Sequence, residues 1–210
     1  LLGISKSIGK EILTEVLQTL TSQHDALRFS YYRDEQGQWQ QQYGTSEPRL
    51  YTEDLTGYSG GELSTQIKTI ADRYQQSLDI EKGDVVRMVW IQMPVEGQVP
   101  PTNDQRLTTN ASANRLLIII HHLAIDGVSW RILLEDMEGL LTAAQTKTTY
   151  KLPAKTSSCR QWYDALKAYS QSRQLQQQQQ YWKQIQQQAQ RLTTDTVTDK
   201  AITVSDLGYY

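Results

Sequence analysis

The chain contains little of what disulfide-linked, metal-binding and membrane proteins are built from. Its 210 residues include one cysteine, one phenylalanine, three methionines and five prolines. The single thiol, Cys159, excludes an internal disulfide and a thiolate metal cluster, and its sequence neighbours provide no histidine base to activate it. No apolar run approaches the ~20 residues of a membrane span, and residues 1–4 lack the pattern of a signal peptide. We therefore expect a cytoplasmic protein.

Charge of either sign is also not in excess. The chain has 21 Lys and Arg against 23 Asp and Glu, a net charge of −2. No basic cluster recurs along one face, so neither nucleic acid nor an anionic membrane is expected as a partner. A hydrophobic content of 38% with 21% charged residues is ordinary for a folded globular protein of one substantial core or two small ones.

Apolar periodicity predicts the main elements of the fold. Helical spacing predicts amphipathic helices over residues 8–20, 62–77 and 130–141, and one long exposed helix through the glutamine-rich stretch 174–190. Strands are predicted over 26–32, 39–43, 85–91 and 116–120, and the first two form a hairpin around a turn at 34–37. Residues 94–114 have the composition of a loop, and 193–210 have a weak strand pattern.

Two of the three histidines are adjacent, and they follow a buried strand. His121 and His122 come directly after Leu116–Ile120. Because neighbouring residues on a strand point to opposite faces, one imidazole can face a cleft while the other packs. An unperturbed imidazole, with a pKa of ~6.5, suits proton transfer. The same geometry disfavours a metal ion shared by both rings, and no third ligand has suitable spacing, so we expect no metal.

The residues after the histidines allow two interpretations. Gly127 leaves room for a ligand to approach the backbone, and Asp126 can bond to an imidazole or to a buried arginine. In the alternative interpretation, Asp126 or Ser129 simply caps the next helix by accepting an amide hydrogen of its first turn.

Three segments carry a resemblance to a known family. The run His121–Gly127 resembles the His-His-x-x-x-Asp-Gly motif of condensation-type domains of nonribosomal peptide synthetases, which are similar in fold to chloramphenicol acetyltransferase. The continuation Asp126–Asp136 resembles the epimerization branch of that superfamily, in which Ser-Trp-Arg-Ile-Leu usually follows the glycine. Residues His24–Arg28 resemble its His-(Glu/Asp)-x-Leu-Arg motif, and Leu152–Ser158 with Trp162 resembles the segment after the motif helix in epimerization domains.

The resemblance implies a fold and a set of partners. It implies an α/β layer sandwich with a mixed β-sheet and covering helices, one lobe of the chloramphenicol-acetyltransferase-like fold. It covers nearly all of residues 1–210 but about the first half of a complete family domain, so we expect an N-terminal lobe whose second lobe is absent. The implied partners are a peptidyl carrier protein domain, adjacent synthetase domains and the missing C-terminal lobe. No cofactor is expected to bind directly; 4'-phosphopantetheine is presented by the carrier.

The resemblance also implies roles for individual residues. His122 projects into a tunnel and transfers a proton, while His121 packs and supports it. Asp126 is structural and pairs with the arginine that Arg28 matches. Gly127 and Ser129 let the pantetheine arm pass close to the backbone. Trp130 either lines the tunnel or anchors the following helix, and the second interpretation is favoured. For His24 the position after the first predicted helix favours a different interpretation, a cation that interacts with the last carbonyls of that helix.

The implied reaction is inversion at the α-carbon of an aminoacyl or peptidyl thioester, from the L to the D form. Epimerization domains also use a glutamate from the second lobe, and no segment here matches its motif, so an isolated lobe is expected to be a poor catalyst. Two alternatives stay open. One is a peptide-bond-forming condensation domain, against which residues 130–133 argue; the other is a noncatalytic lobe that serves as an interaction surface.

Overall fold

The computed structural model describes residues 1–44, 47–94 and 113–190. The chain divides into two compact units, residues 1–158 and 159–210. Most of the predicted loop at 94–114 and the weak strand pattern after residue 193 lie outside the described residues. That residues 1–210 form one lobe of a larger domain stays a prediction.

The first unit combines a mixed sheet, a hairpin and helices. Its elements are β1 (Leu2–Ile4), α1 (Lys10–Gln23), a 3-10 turn (Asp25–Arg28), β2 (Phe29–Arg33), β3 (Trp39–Tyr43), β4 (Leu50–Asp54), α2 (Gly60–Gln76), β5 (Val86–Gln92), β6 (Asn114–Ile120) and α3 (Gly127–Thr146). The sheet order is β1-β6-β5-β4. Strand β5 runs antiparallel to β6 and parallel to β4, and β2 and β3 form the predicted hairpin. The predicted mixed sheet is confirmed.

The two central strands are buried on both faces, which explains why their sequences are mostly apolar rather than alternating. Met88 and Leu116 contribute to a core with the apolar sides of α1 and α3. Their neighbours Val89 and Leu117 point to the opposite face and contribute to a second core with α2. Alternation along the strands thus feeds two cores, one on each face of the sheet. The arrangement is a layer sandwich of helices, sheet and helix.

Two elements begin three residues away from their predicted starts: β2 begins later and α3 begins earlier. Strand β2 begins at Phe29 because the preceding residues form a 3-10 turn, in which the amide of Leu27 donates to the carbonyl of His24 at 3.0 Å. Helix α3 begins at Gly127, three residues before its apolar stripe starts at Trp130, because Asp126 caps it. A hydrophobic stripe marks only the packed part of a helix, so an uncovered first turn leaves no apolar signal.

In its described part, residues 159–190, the second unit has three helices: α4 (Cys159–Ser170), α5 (Arg173–Gln176) and α6 (Gln179–Gln188). The single long helix predicted over 174–190 is therefore wrong. Helix α5 ends with a tight bond from the Gln178 amide to the Leu175 carbonyl at 3.0 Å, and α6 starts with the Trp182 amide on Gln178 at 3.1 Å. None of the residues in these three helices is buried. In the described parts of the chain, no helix combines the length and the apolar character that crossing a bilayer requires.

Candidate functional site

The two histidines lie just beyond β6, in a turn. The amide of His121 still donates to the carbonyl of Val85 at 2.9 Å, which extends the pairing with β5 by one bond. Residues 121–124, which we call the motif turn, are then closed by a bond from the Ala124 amide to the His121 carbonyl at 2.8 Å. The turn, rather than strand alternation, therefore sets the direction of each imidazole, which corrects the strand-based expectation.

His121 is held by the turn itself. Its ring is partly buried, and its Nδ1 accepts a hydrogen bond from the amide of Leu123 at 3.2 Å. A nitrogen that accepts carries a lone pair, so a neutral His121 ring keeps its hydrogen on Nε2. The ring thus fixes the peptide group that joins His122 to Leu123.

His122 has the opposite environment. Its side chain is exposed, and within the described residues its ring makes no hydrogen bond or ion pair. Both ring nitrogens are therefore available to a molecule that approaches from solvent. This is the arrangement that a proton-transferring imidazole requires, and the catalytic role predicted for His122 stays a prediction.

The predicted pair between Asp126 and Arg28 is wrong. Asp126 Oδ1 accepts from the amide of Ser129 at 2.7 Å and from its hydroxyl at 2.6 Å, which makes Asp126 the N-cap of α3. Hydrogen bonds from Ser129 hold the pKa of Asp126 below its ordinary value. The capping alternative is what the structure has, because a partner three residues away is reached at little cost in chain entropy.

Arg28 pairs with Asp25 instead. Its Nη2 lies 2.6 Å from Asp25 Oδ1, and Lys155 Nζ lies 2.6 Å from the same oxygen. Burial raises the pKa of Asp25, but the bonds from Lys155 and Arg28 outweigh it, so the pKa lies below its ordinary value. Arg28 Nε is buried and has no hydrogen-bond partner among the residues that the structure describes. The support role predicted for Arg28 therefore does not run through Asp126.

Sequence reasoning missed a group of contacts at the end of α1. Gln23 Nε2 donates to the Pro153 carbonyl at 2.8 Å. His24 Nε2 lies 2.8 Å from Asp136 Oδ2, so its ring does not serve the last carbonyls of α1, and that interpretation is wrong. Asp136 is 5% exposed. The available signal was the position of Asp136, an acidic residue within the apolar stripe of α3 between Leu133 and Met137.

The residues predicted to admit pantetheine lie at the start of α3. A Cβ atom added at Gly127 would meet nothing within 4 Å, so the space beside this backbone is open. Ser129 is engaged with Asp126. Trp130 is partly buried and packs against the core that α1 and α3 share. Substrate binding by these three residues stays a prediction.

A metal site would need several ligating side chains close together. In residues 1–44, 47–94 and 113–190, no three His, Cys, Asp or Glu side chains are grouped so that they could hold an ion.

Comparisons with known proteins give the family. The family model described as "Condensation domain" matches residues 1–206. Surfactin synthase subunit 2 of Bacillus subtilis (strain 168) is 36% identical over 206 residues, which are 96% of this chain and 5% of that protein. Tyrocidine synthase 2 of Brevibacillus parabrevis is 30% identical over 173 residues, 81% of this chain and 4% of that protein.

Similar solved structures support the same family and fold. The epimerization domain from the third module of tyrocidine synthetase B has a TM-score of 0.71 at 30% identity, over 91% of this chain and 40% of that one. The starter condensation domain of rhizomide synthetase has a TM-score of 0.64 at 20% identity, over 87% of this chain and 40% of that one. The chain thus spans a small part of its curated relatives and about 40% of these solved chains. It belongs to the condensation-domain family, and the predicted family and α/β fold class are confirmed.

Proposed function

We propose that the chain forms part of an epimerization domain, which converts an L-aminoacyl or peptidyl thioester on a carrier protein to its D form. The observation that carries the proposal is the exposed imidazole of His122, which has no bonding partner among the described residues and lies at the end of a strand buried on both faces. The strand and its turn provide a fixed support, and the ring nitrogens remain available for proton transfer.

The proposed reaction needs one base and one acid. A thioester acidifies the hydrogen on the α-carbon, and an unprotonated nitrogen of His122 takes that hydrogen as a proton. The electron pair of the broken C–H bond delocalises onto the thioester carbonyl as an enolate. A proton delivered to the opposite face of the α-carbon then gives the D form. By family resemblance the second proton carrier is a glutamate of the other lobe, which no segment of this sequence matches.

The substrate would reach His122 on the phosphopantetheine arm of a peptidyl carrier protein. Gly127 lies five residues after His122, and the open space beside it is suited to a slender chain that passes close to the backbone. Adjacent synthetase domains would supply the loaded carrier. In this proposal the arm is part of the substrate, and the chain needs no resident cofactor.

Two observations favour epimerization over peptide-bond formation. The sequence Asp126–Asp136 resembles the epimerization branch. The tyrocidine synthetase epimerization domain is 30% identical to this chain, whereas the starter condensation domain is 20% identical and supports the fold alone. A peptide-bond-forming domain would use the same histidine to help an acceptor amine attack the thioester. The experiment below separates the two.

The test uses the full-length protein that carries this sequence, with its carrier loaded in turn with each proteinogenic L-amino acid in deuterated buffer. We expect α-deuteration and appearance of the D form, and we expect His122→Ala to lower the rate by about 100-fold or more. Glu138→Ala, which changes an exposed side chain of α3, is the control and should react as the wild type does.

The other outcomes reassign the chain. Absence of α-deuteration together with peptide formation from an added acceptor amine would establish a condensation domain. Absence of both reactions, with binding of the loaded carrier retained, would establish a noncatalytic interaction lobe.

A further inference from the structure

We propose that Tyr31 is a positioning residue that fixes the direction of His122 by holding the motif turn from the hairpin. The inference rests on the proposed function, because it assigns Tyr31 a part in the reaction of that same site. Tyr31 lies in β2, and its hydroxyl donates to the carbonyl of Leu123 at 3.2 Å. Leu123 directly follows His122, while Tyr31 is 92 residues away in sequence.

Three hydrogen bonds fix the two peptide groups that follow His122. The amide between His122 and Leu123 donates to His121 Nδ1. In the next peptide group, the amide of Ala124 donates to the His121 carbonyl, and the carbonyl of Leu123 accepts from Tyr31. The first two bonds are internal to the turn. The third bond comes from outside: among the described residues, Tyr31 alone donates from the side chain of another element to the backbone of this turn.

Tyr31 itself is well anchored, as a positioning residue must be. The residue is 8% exposed and belongs to the core that α1 and α3 share. Its amide donates to the carbonyl of Ile80 at 2.9 Å, and its strand is paired with β3. The hydroxyl therefore extends from a ring that packing holds in place.

The consequence for His122 follows from its lack of other restraints. Its ring makes no bond of its own in the described residues, so its direction depends on the backbone that carries it. Without the Tyr31 hydroxyl, the Leu123 carbonyl loses this hydrogen bond. The two hydrogen bonds internal to the turn remain, and the peptide group between Leu123 and Ala124 can then change its orientation. A displacement of about 1 Å at a reacting group can cost on the order of 100-fold in rate. A partial loosening should therefore lower the rate by about 10-fold.

The chain offers a closely matched control. Tyr32 is the next residue of the same strand, is 44% exposed and points to the opposite face. Tyr31→Phe and Tyr32→Phe each remove one hydroxyl and leave the ring. Both variants should keep the midpoint of thermal unfolding within a few degrees of the wild type.

The kinetic test measures α-proton exchange in the full-length protein. We expect Tyr31→Phe to lower kcat by about 10-fold with KM nearly unchanged, and Tyr32→Phe to leave both constants unchanged. In a His122→Ala background, Tyr31→Phe should have no further effect on the residual rate, because it acts through His122. A wild-type kcat for Tyr31→Phe, or an equal loss with and without His122, would overturn the proposal.

A second measurement keeps this inference separate from the proposed function. The ring signals of His122 can be assigned in NMR spectra of the same full-length protein, labelled at histidine, by their loss in His122→Ala. We expect them to shift or broaden in Tyr31→Phe and not in Tyr32→Phe, whatever reaction the protein catalyses. Unchanged His122 signals in Tyr31→Phe would refute the positioning role, whereas failure of α-deuteration in the wild type would refute the epimerase function alone.

Discussion

The segment at the end of α1 and the segment after β6 both resemble family motifs, and their side chains form hydrogen bonds in opposite ways. In residues 23–25, each side chain reaches a distant part of the first unit: Pro153, Asp136 or Lys155. In residues 121–129, most bonds close within the segment, from Leu123 to His121 and from Ser129 to Asp126. The first segment connects distant parts of the first unit, whereas the second segment is stabilised mainly by its own local hydrogen bonds.

This difference between long-range and local hydrogen bonds predicts different effects on stability and on catalysis. Contacts that span more than 100 residues hold tertiary structure together, so their loss should appear in the free energy of unfolding. Contacts over two or three residues specify a local conformation, so their loss should be felt mainly where that conformation presents a reacting group. We therefore expect substitutions at His24 to destabilise the fold and substitutions near His122 to affect the reaction.

The largest effect on stability is expected for His24→Ala. The substitution leaves the buried carboxylate of Asp136 without its partner at 2.8 Å, and a buried acceptor that loses its partner costs about 1 to 3 kcal/mol. Urea unfolding of the chain, followed by tryptophan fluorescence, measures the loss. The double variant His24→Ala with Asp136→Ala should be less destabilised than the sum of the two single variants, because no buried charge is stranded. A loss as small as that of an exposed ion pair would remove the contrast between the two segments.

An intermediate effect is expected for Asp126→Ala, which removes the N-cap of α3. Loss of a cap should lower the thermal midpoint of a chain of this length by about 3 °C. Asp126→Asn should lower it less, because asparagine also accepts from the Ser129 amide. The effects of Asp126→Ala and Arg28→Ala should add, since the two side chains are not paired. Non-additive midpoints would restore the pair that the family resemblance implies.

The same carboxylate gives a pH dependence with a defined sign. The Ser129 bonds depress the pKa of Asp126 in the folded chain below its ordinary value of 3.8. The stabilisation is therefore present above that value and is lost as the pH falls through the depressed pKa. Asp126→Asn should lack this part of the acid dependence when thermal midpoints are compared at neutral and acidic pH.

The smallest effect on stability is expected for Gly127→Ala. The added methyl group meets no atom within 4 Å, and Gly127 does not have a positive φ. The control is Gly61→Ala, which places a methyl group in equally open space in the first turn of α2. Both variants should unfold at the wild-type midpoint or slightly above it, while only Gly127→Ala should slow α-proton exchange. Equal activity of the two variants would mean that the substrate does not use the space beside Gly127.

The sequence predicted those elements whose cause is local. Helices α1 and α2 and the strands β5 and β6 follow from periodicity or from continuous apolar runs, because both kinds of element bury their side chains in the two cores. Periodicity did not predict the parallel pairing of β4 with β5. Pairing is a tertiary relation, and a single strand sequence contains little information about its neighbour.

The candidate site was predictable in composition and less so in geometry. The adjacent histidines, Asp126 and Gly127 were recognised from their residue types. The partner of Asp126 was assigned by resemblance, but in the structure Asp126 bonds to Ser129 and caps α3 instead. The pair of His24 and Asp136 joins residues 112 positions apart, so no pattern within a window of sequence could reveal it. The break at Gln178 was missed because glutamine favours helix and the apolar stripe continues on both sides of it.

Burial of β6 on both faces bears on how such a site can diversify. A substitution at Leu116 or Ile118 alters the core beneath α1 and α3, and one at Leu117 or Ile119 alters the core beneath α2. Neither face of the strand is free to vary without repacking a core. The exposed residues just past Ile120 carry no such constraint. Exposed side chains of the turn can therefore be replaced without repacking either core, whereas replacements within the strand cannot.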